Sequence, residues 1–277
     1  MTSLTVGLSP CPNDTFMFDA MLHQKIDVQG FTFSSVMKDV QQLNQDAFNG
    51  DLDITKMSFF AYASASANYK ILNSGSALGK SCGPILISKK KINANDDLSK
   101  LKVCIPGVNT TANLLLSIFY PQITNKTELV FSEIENALLR DEFDAGLIIH
   151  ENRFTYRAKG LNKIVDLGEQ WETRTGYPIP LGCIAVKRTL PQDVQIKIDA
   201  IMRESIKYAF SNREDVMDFV RNNAQEMDDD VMKQHIALYV NEFSVDLGSE
   251  GKSAIALLFA KGKEIGLIKN VSDDIFV

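Results

Sequence analysis

The chemistry open to this 277-residue chain rests on a small set of side chains. His150 ends its most hydrophobic strand candidate in the second half, Ala145-Gly-Leu-Ile-Ile-His-Glu151. A strand end puts an imidazole at the mouth of a cleft, and an ordinary pKa of about 6.5 suits a general base near neutral pH. A histidine merely satisfied by hydrogen bonds at a strand end is the competing reading. Thr110 and Thr111 follow Gly107-Val-Asn109 and open an apolar helix candidate, so two hydroxyls stand beside orphan helix amides able to hold a carboxylate. A threonine N-cap explains the same pair on pattern alone. Lys56, in Ile54-Thr-Lys-Met-Ser-Phe59, ends an otherwise apolar strand and offers either charge to a cleft or a solvent-facing edge amine. Cys11, between two prolines, reads as a small buried residue of a tight turn rather than a nucleophile.

Other chemistries lack their patterns. Cys11, Cys82, Cys104 and Cys183 form no CxxC pair, and His23, His150 and His235 stand far apart, so no structural zinc site is expected. His150-Glu151 is not a zincin signature, because Phe154 occupies the place of the second histidine. Glu151 itself is left facing solvent. There is no GxGxxG, Walker A loop or GxSxG elbow to support nucleotide binding or serine hydrolysis.

The elements that must position these residues come in two similar sets. Strands are expected over 4–9, 31–36 and 52–56, with helices over 15–22, 40–48 and 59–67. The order returns as strands over 101–105, 129–131 and 145–149, with helices over 111–119 and 134–142. Even the local text rhymes, Phe48-Asn-Gly-Asp-Leu-Asp-Ile54 against Arg140-Asp-Glu-Phe-Asp-Ala-Gly146. Alternating strands and helices imply parallel βα units, and a duplicated unit implies two α/β lobes with a cleft between them. Strand candidates over 84–88 and 182–187 bracket the second unit. The lobes are therefore expected at 1–86 with 185–277, the larger, and at 87–184, the smaller. Residues 191–277 read as helices packed on the first lobe. In open α/β sheets, ligands bind beyond the carboxyl ends of strands, which selects the segments at 9–15, 55–58, 107–111 and 150–151.

Composition limits the partners. Hydrophobic residues make up 45% and charged residues 23%, which excludes disordered, collagen-like and coiled-coil classes. A net charge of −6 argues against nucleic acid or an anionic membrane as partner, yet leaves room for a local site for an anionic small molecule. Neither a basic leader nor an apolar run of about 20 residues is present, so a cytoplasmic location is expected.

Taken together, Ser9-Pro-Cys-Pro-Asn-Asp-Thr-Phe16, Thr55-Lys-Met-Ser58, Gly79 to Pro84, Thr110-Thr-Ala112, Gly146-Leu-Ile-Ile-His-Glu151 with Arg153-Phe-Thr-Tyr156, Pro180-Leu-Gly182 and Tyr239-Val-Asn241 resemble the 1,4-dihydroxy-6-naphthoate synthases of the futalosine route to menaquinone. The resemblance runs in order over essentially the whole chain. It implies a two-lobed type II periplasmic-binding-protein-like fold with a two-stranded hinge and a ligand cleft between the lobes. It also implies conversion of cyclic dehypoxanthinyl futalosine to 1,4-dihydroxy-6-naphthoate with release of a ribose-derived fragment, a lyase reaction without metal or organic cofactor. By the same resemblance His150 would accept a proton, and Lys56, Met57, Ser58, Thr110, Thr111 and, on loop position alone, Asn13 would bind a small-molecule carboxylate substrate. A non-catalytic solute-binding protein of the same fold is the rival. The absence of an export signal weighs against it.

Overall fold

Seven residues, Thr2–Leu8, exposed at their start and buried from Val6 on, form strand β1, and the computed structural model describes residues 2–224 and 228–277. Helix α1 (Pro12–Leu22), β2 (Phe31–Met37), α2 (Val40–Asn49), β3 (Ile54–Ser58), α3 (Phe59–Ala65), β4 (Tyr69–Ile71) and β5 (Ala77–Gly79) follow. The chain then enters a second body through β6 (Ile85–Ser88), β7 (Val103–Ile105), α4 (Thr111–Phe119), β8 (Lys126–Glu128), α5 (Ile134–Leu139), β9 (Ala145–Ile148), α6 (Asn152–Thr155), β10 (Asn162–Asp166) and α7 (Leu167–Thr175). It returns through β11 (Ile179–Lys187) and continues as α8 (Gln192–Ser211), α9 (Arg213–Asn223), α10 (Asp229–Tyr239), α11 (Glu242–Val245) and α12 (Gly248–Glu264).

Two sheets result. One has the order β2-β1-β3-β11-β4, with β5 also on β11; the other runs β10-β6-β9-β7-β8. Each contains the expected parallel trio, Val6 beside Ile54 in the first and Val103 beside Ala145 in the second. The textual rhyme has a physical cause. Asp53 accepts the N–H of Thr5 at 2.8 Å and Asp144 accepts that of Lys102 at 2.9 Å, so each aspartate ties the start of its unit's last strand to the first strand. The result is the two-lobed α/β fold expected, with a cleft where the strand ends of both sheets converge.

Several boundaries differ. The limits at 86 and 184 fall inside β6 and β11, and hydrogen bonding assigns each strand whole: Ile85–Ser88 pairs with β9 and β10, and Ile179–Lys187 with β3, β4 and β5. The crossings between sheets are therefore 80–84 and 167–178. The third strand lies at 54–58, not 52–56. The strand expected over the apolar run at 129–131 is instead the polar edge strand β8 (Lys126–Glu128), because an edge needs ladder bonds more than burial; Leu129 beyond it packs against the small core of this sheet, and Phe131 is buried. The C-terminal region is helical, with Ile198, Ile201, Met202 and Ile206 of α8 packed against Leu4, Val6 and Leu8, but its last residues run beside β4, where Val277 donates to the Ile71 carbonyl.

The largest core spans both bodies. Met57, Tyr62 and Ile179 from the first sheet's side meet Val103, Leu115 and Trp171 from the second's, all of them buried. Burial of such side chains stabilises each by roughly 1.5–3 kcal/mol. A continuous apolar seam thus holds the cleft walls in register.

Candidate active site

The ends of the strands deliver the site. Asn13, Lys56, Ser58, Thr110, Thr111 and His150 line one cleft with an empty volume of about 570 Å³, together with Ala112, Leu181, Gly182 and Tyr239. Six of the seven expected site residues therefore meet in one place. Met57 does not. Side chains alternate along a strand, so Lys56 and Ser58 face the cleft while Met57 points to the opposite face, fully buried in the shared core. Gly182, paired with Ser58, makes room beside Lys56: a Cβ there would lie 3.2 Å from Lys56 Cε and 3.0 Å from the Met57 carbonyl oxygen.

His150 stands in a left-handed conformation, φ 58°, just past β9. That region is uncommon for a non-glycine residue and turns the side chain out of the strand path toward the cleft. Burial pushes its pKa down to about 4, with Lys56 adding to the effect and Asp14 opposing it. The ring is thus held uncharged at neutral pH, the form that accepts a proton.

Lys56 is neither a free cleft charge nor a surface amine. Its strand is central, and its Nζ donates to Asp14 Oδ1 at 2.6 Å, both side chains being buried. Asp14 Oδ2 accepts the N–H and hydroxyl of Ser9, and Asn13 Nδ2 donates to Asp14 Oδ1 at 2.8 Å. The β1–α1 turn is thereby locked around one carboxylate, and the pair adds little net charge to the cleft.

At α4 the N-cap reading holds for Thr110, and Thr111 plays a different structural part. Thr110 is the N-cap, accepting from the Asn113 N–H and donating to the Gly107 carbonyl. Thr111 Oγ1 reaches across the cleft, donating to the Leu181 carbonyl at 2.7 Å and accepting the Phe60 N–H at 3.2 Å. Both hydroxyls are committed to protein partners, so an anion here would be met by the first-turn amides of Thr111 and Ala112. Arg153 ties the first crossing to the end of β10, donating to the Gly83 carbonyl and to Asp166 Oδ2 at 2.6 Å.

Sequence patterns missed three participants. Asp14 stood in the segment at 9–15 with no role of its own. Glu151 is buried rather than facing solvent, 3.9 Å from Nδ1 of a fully buried His235. His235 stacks on His150 with ring centroids 6.1 Å apart and donates no local signature; only its position one turn before Tyr239-Val-Asn241 could have marked it. Cys11 is buried as expected. Its thiol sulfur, a ring nitrogen of His150 and a carboxylate oxygen of Glu151 are possible metal-ligand atoms that lie within 4.8 Å of one another. Burial, reinforced by Glu151, pushes the Cys11 thiol well up, so it sits as the protonated thiol and not as a preformed thiolate ligand. Among the described residues no helix is long and apolar enough to cross a membrane.

Comparison with known proteins shows the family. The chain is 42% identical over 277 residues to a 1,4-dihydroxy-6-naphthoate synthase of Thermus thermophilus, covering 100% of both chains. A solved Archaeoglobus fulgidus protein superposes with a TM-score of 0.91 at 33% identity, over 96% of this chain and 98% of that one. A Candida albicans protein described as having the generic periplasmic-binding-protein fold matches at a TM-score of 0.72 and 12% identity, over 99% and 94% of the two chains, and shares the fold alone. Residues 4–264 match the menaquinone biosynthesis family, and with a full-length relative at that identity the chain belongs to this family.

Proposed function

We propose that the protein is a cytoplasmic 1,4-dihydroxy-6-naphthoate synthase, a lyase acting on cyclic dehypoxanthinyl futalosine. The observation that carries this reading is the placement of an uncharged imidazole, His150, in the same cleft as the amide-bearing start of α4. The substrate carboxylate sits at the first-turn N–H groups of Thr111 and Ala112, where the helix dipole favours negative charge. Asn13, Lys56 and Ser58 form the opposite wall. So anchored, the fused ring system presents a labile C–H to His150, which takes the proton as the bond to the ribose-derived fragment breaks and the naphthalene ring becomes aromatic. The imidazolium then returns its proton to the released fragment or to solvent. Bound substrate brings negative charge into a low-dielectric cleft, which favours the protonated imidazole and strengthens the base when it is needed.

Incubation of the purified protein with cyclic dehypoxanthinyl futalosine is expected to yield the naphthoate chromophore. Tight binding without product would instead identify a solute-binding protein of the same fold.

The pH profile follows from the environment of His150. Its reactive form is the neutral ring, and burial holds the free enzyme's pKa near 4 rather than about 6.5. Asp14, Lys56, His235, Glu151, Cys11 and Tyr239 are the titratable groups gathered around this pocket. As pH falls, kcat/KM is expected to stay flat through pH 6 and to decline only as pH approaches 4. An acid limb centred near pH 6.5 would show a solvated histidine and contradict the assignment.

A further inference from the structure

His235 has no assigned role, although it is fully buried beside the base. Its hydrogen bonding determines its tautomer. Asp14 Oδ1 already accepts from Lys56 Nζ, so the Asn13 atom facing it at 2.8 Å is the donating Nδ2. Asn13 Oδ1 is consequently turned toward His235, and His235 Nε2, 2.9 Å away, must carry the proton it donates. Nδ1 is left unprotonated, with no hydrogen-bond partner among the described residues. Burial, with His150 and Lys56 nearby, pushes the pKa of His235 well down, in keeping with a neutral ring.

The ring held in this way belongs to α10, which packs on α1 of the first body, whereas His150 comes from the second. The two imidazoles stack with a 21° interplanar angle. Phe131, from the second body, also packs on His150, with centroids 5.0 Å apart. Both separations lie within the roughly 4.5–7 Å of productive ring contacts. Tyr239, 4.5 Å from His235, backs that ring in turn. A histidine on a left-handed turn has little regular structure to hold its side chain, so these ring contacts decide where its nitrogen points.

We infer that His235 is a positioning residue: fixed by Asn13 as the Nε2–H tautomer, it supplies the first body's ring contact that, with Phe131, orients His150 in the cleft. The inference rests on His150 acting as the base.

Two variants separate the ring from the hydrogen bond. His235→Gln keeps an amide N–H for Asn13 but has no ring; His235→Phe keeps the ring but cannot donate. With cyclic dehypoxanthinyl futalosine as substrate, His235→Gln is expected to lose kcat on the order of 10–100-fold, the scale of a small misplacement of a reacting group, with KM nearly unchanged. His235→Phe is expected to recover most of kcat. Long-range 1H–15N NMR of the wild-type protein is expected to show the His235 proton on Nε2. Wild-type kcat in His235→Gln, equal losses in both variants with a matching rise in KM, or a proton on Nδ1 would overturn the proposal. His150→Asn keeps the two failures apart: if it still turns over, the base assignment is at fault, and if it is inactive while His235→Gln is unaffected, only the positioning role fails.

Discussion

The His150→Asn variant is expected to bind cyclic dehypoxanthinyl futalosine with near-wild-type affinity and to lose roughly 10²–10⁴-fold in kcat, the usual contribution of a positioned general base. Asparagine preserves a polar group of similar reach and tolerates the left-handed φ of 58° better than most residues, so the turn after β9 should survive the change. What it lacks is a nitrogen that can take and return a proton. The anchoring contacts proposed at α4 are untouched, and for that reason binding and turnover should separate. Isothermal titration for affinity and product absorbance for rate would measure the two effects. A variant within a few-fold of wild-type turnover removes His150 from the reaction.

Lys56→Met is expected to cost about 3–5 kcal/mol of folding stability, because it leaves the Asp14 carboxylate buried without its counter-charge. Methionine matches the length of the lysine stem, so packing loss adds little. The remaining donors to Asp14, Ser9 and Asn13, cannot supply a full positive charge. For a chain of this size the loss corresponds to a fall of roughly 10 °C in Tm. Replacing both partners, as Lys56→Met with Asp14→Asn, is expected to restore most of the stability, since no uncompensated ion is left behind. Denaturant unfolding of the single and double variants would test this. Equal midpoints for wild type and Lys56→Met would show that the pair does not hold the β1–α1 turn.

Much of this site was legible along the chain, and the missing parts share one cause. His150, Thr110 and Thr111 stand at element ends that local periodicity and capping patterns mark, and the structure places all three at the cleft. Met57 was carried with its neighbours as a stretch of sequence, but strand alternation turns it into the core. Reading the third strand two residues early concealed this, since the expected strand stopped at Lys56. The surface-amine reading of Lys56 gave way to a buried ion pair with a residue 42 positions earlier, made from within the cleft lining.

Fold class and duplication were determined by the sequence itself, because periodicity, turn residues and the paired aspartates Asp53 and Asp144 act over distances a chain segment can encode. The pairing of His235 with Asn13, 222 positions apart, and the burial of Glu151 beside it were decided only by tertiary structure. A hydrogen bond or ring contact between distant segments depends on how helices and bodies pack, and no spacing along the chain records that. The general base could therefore be found from its strand, while the groups that surround it became visible only in the packed structure.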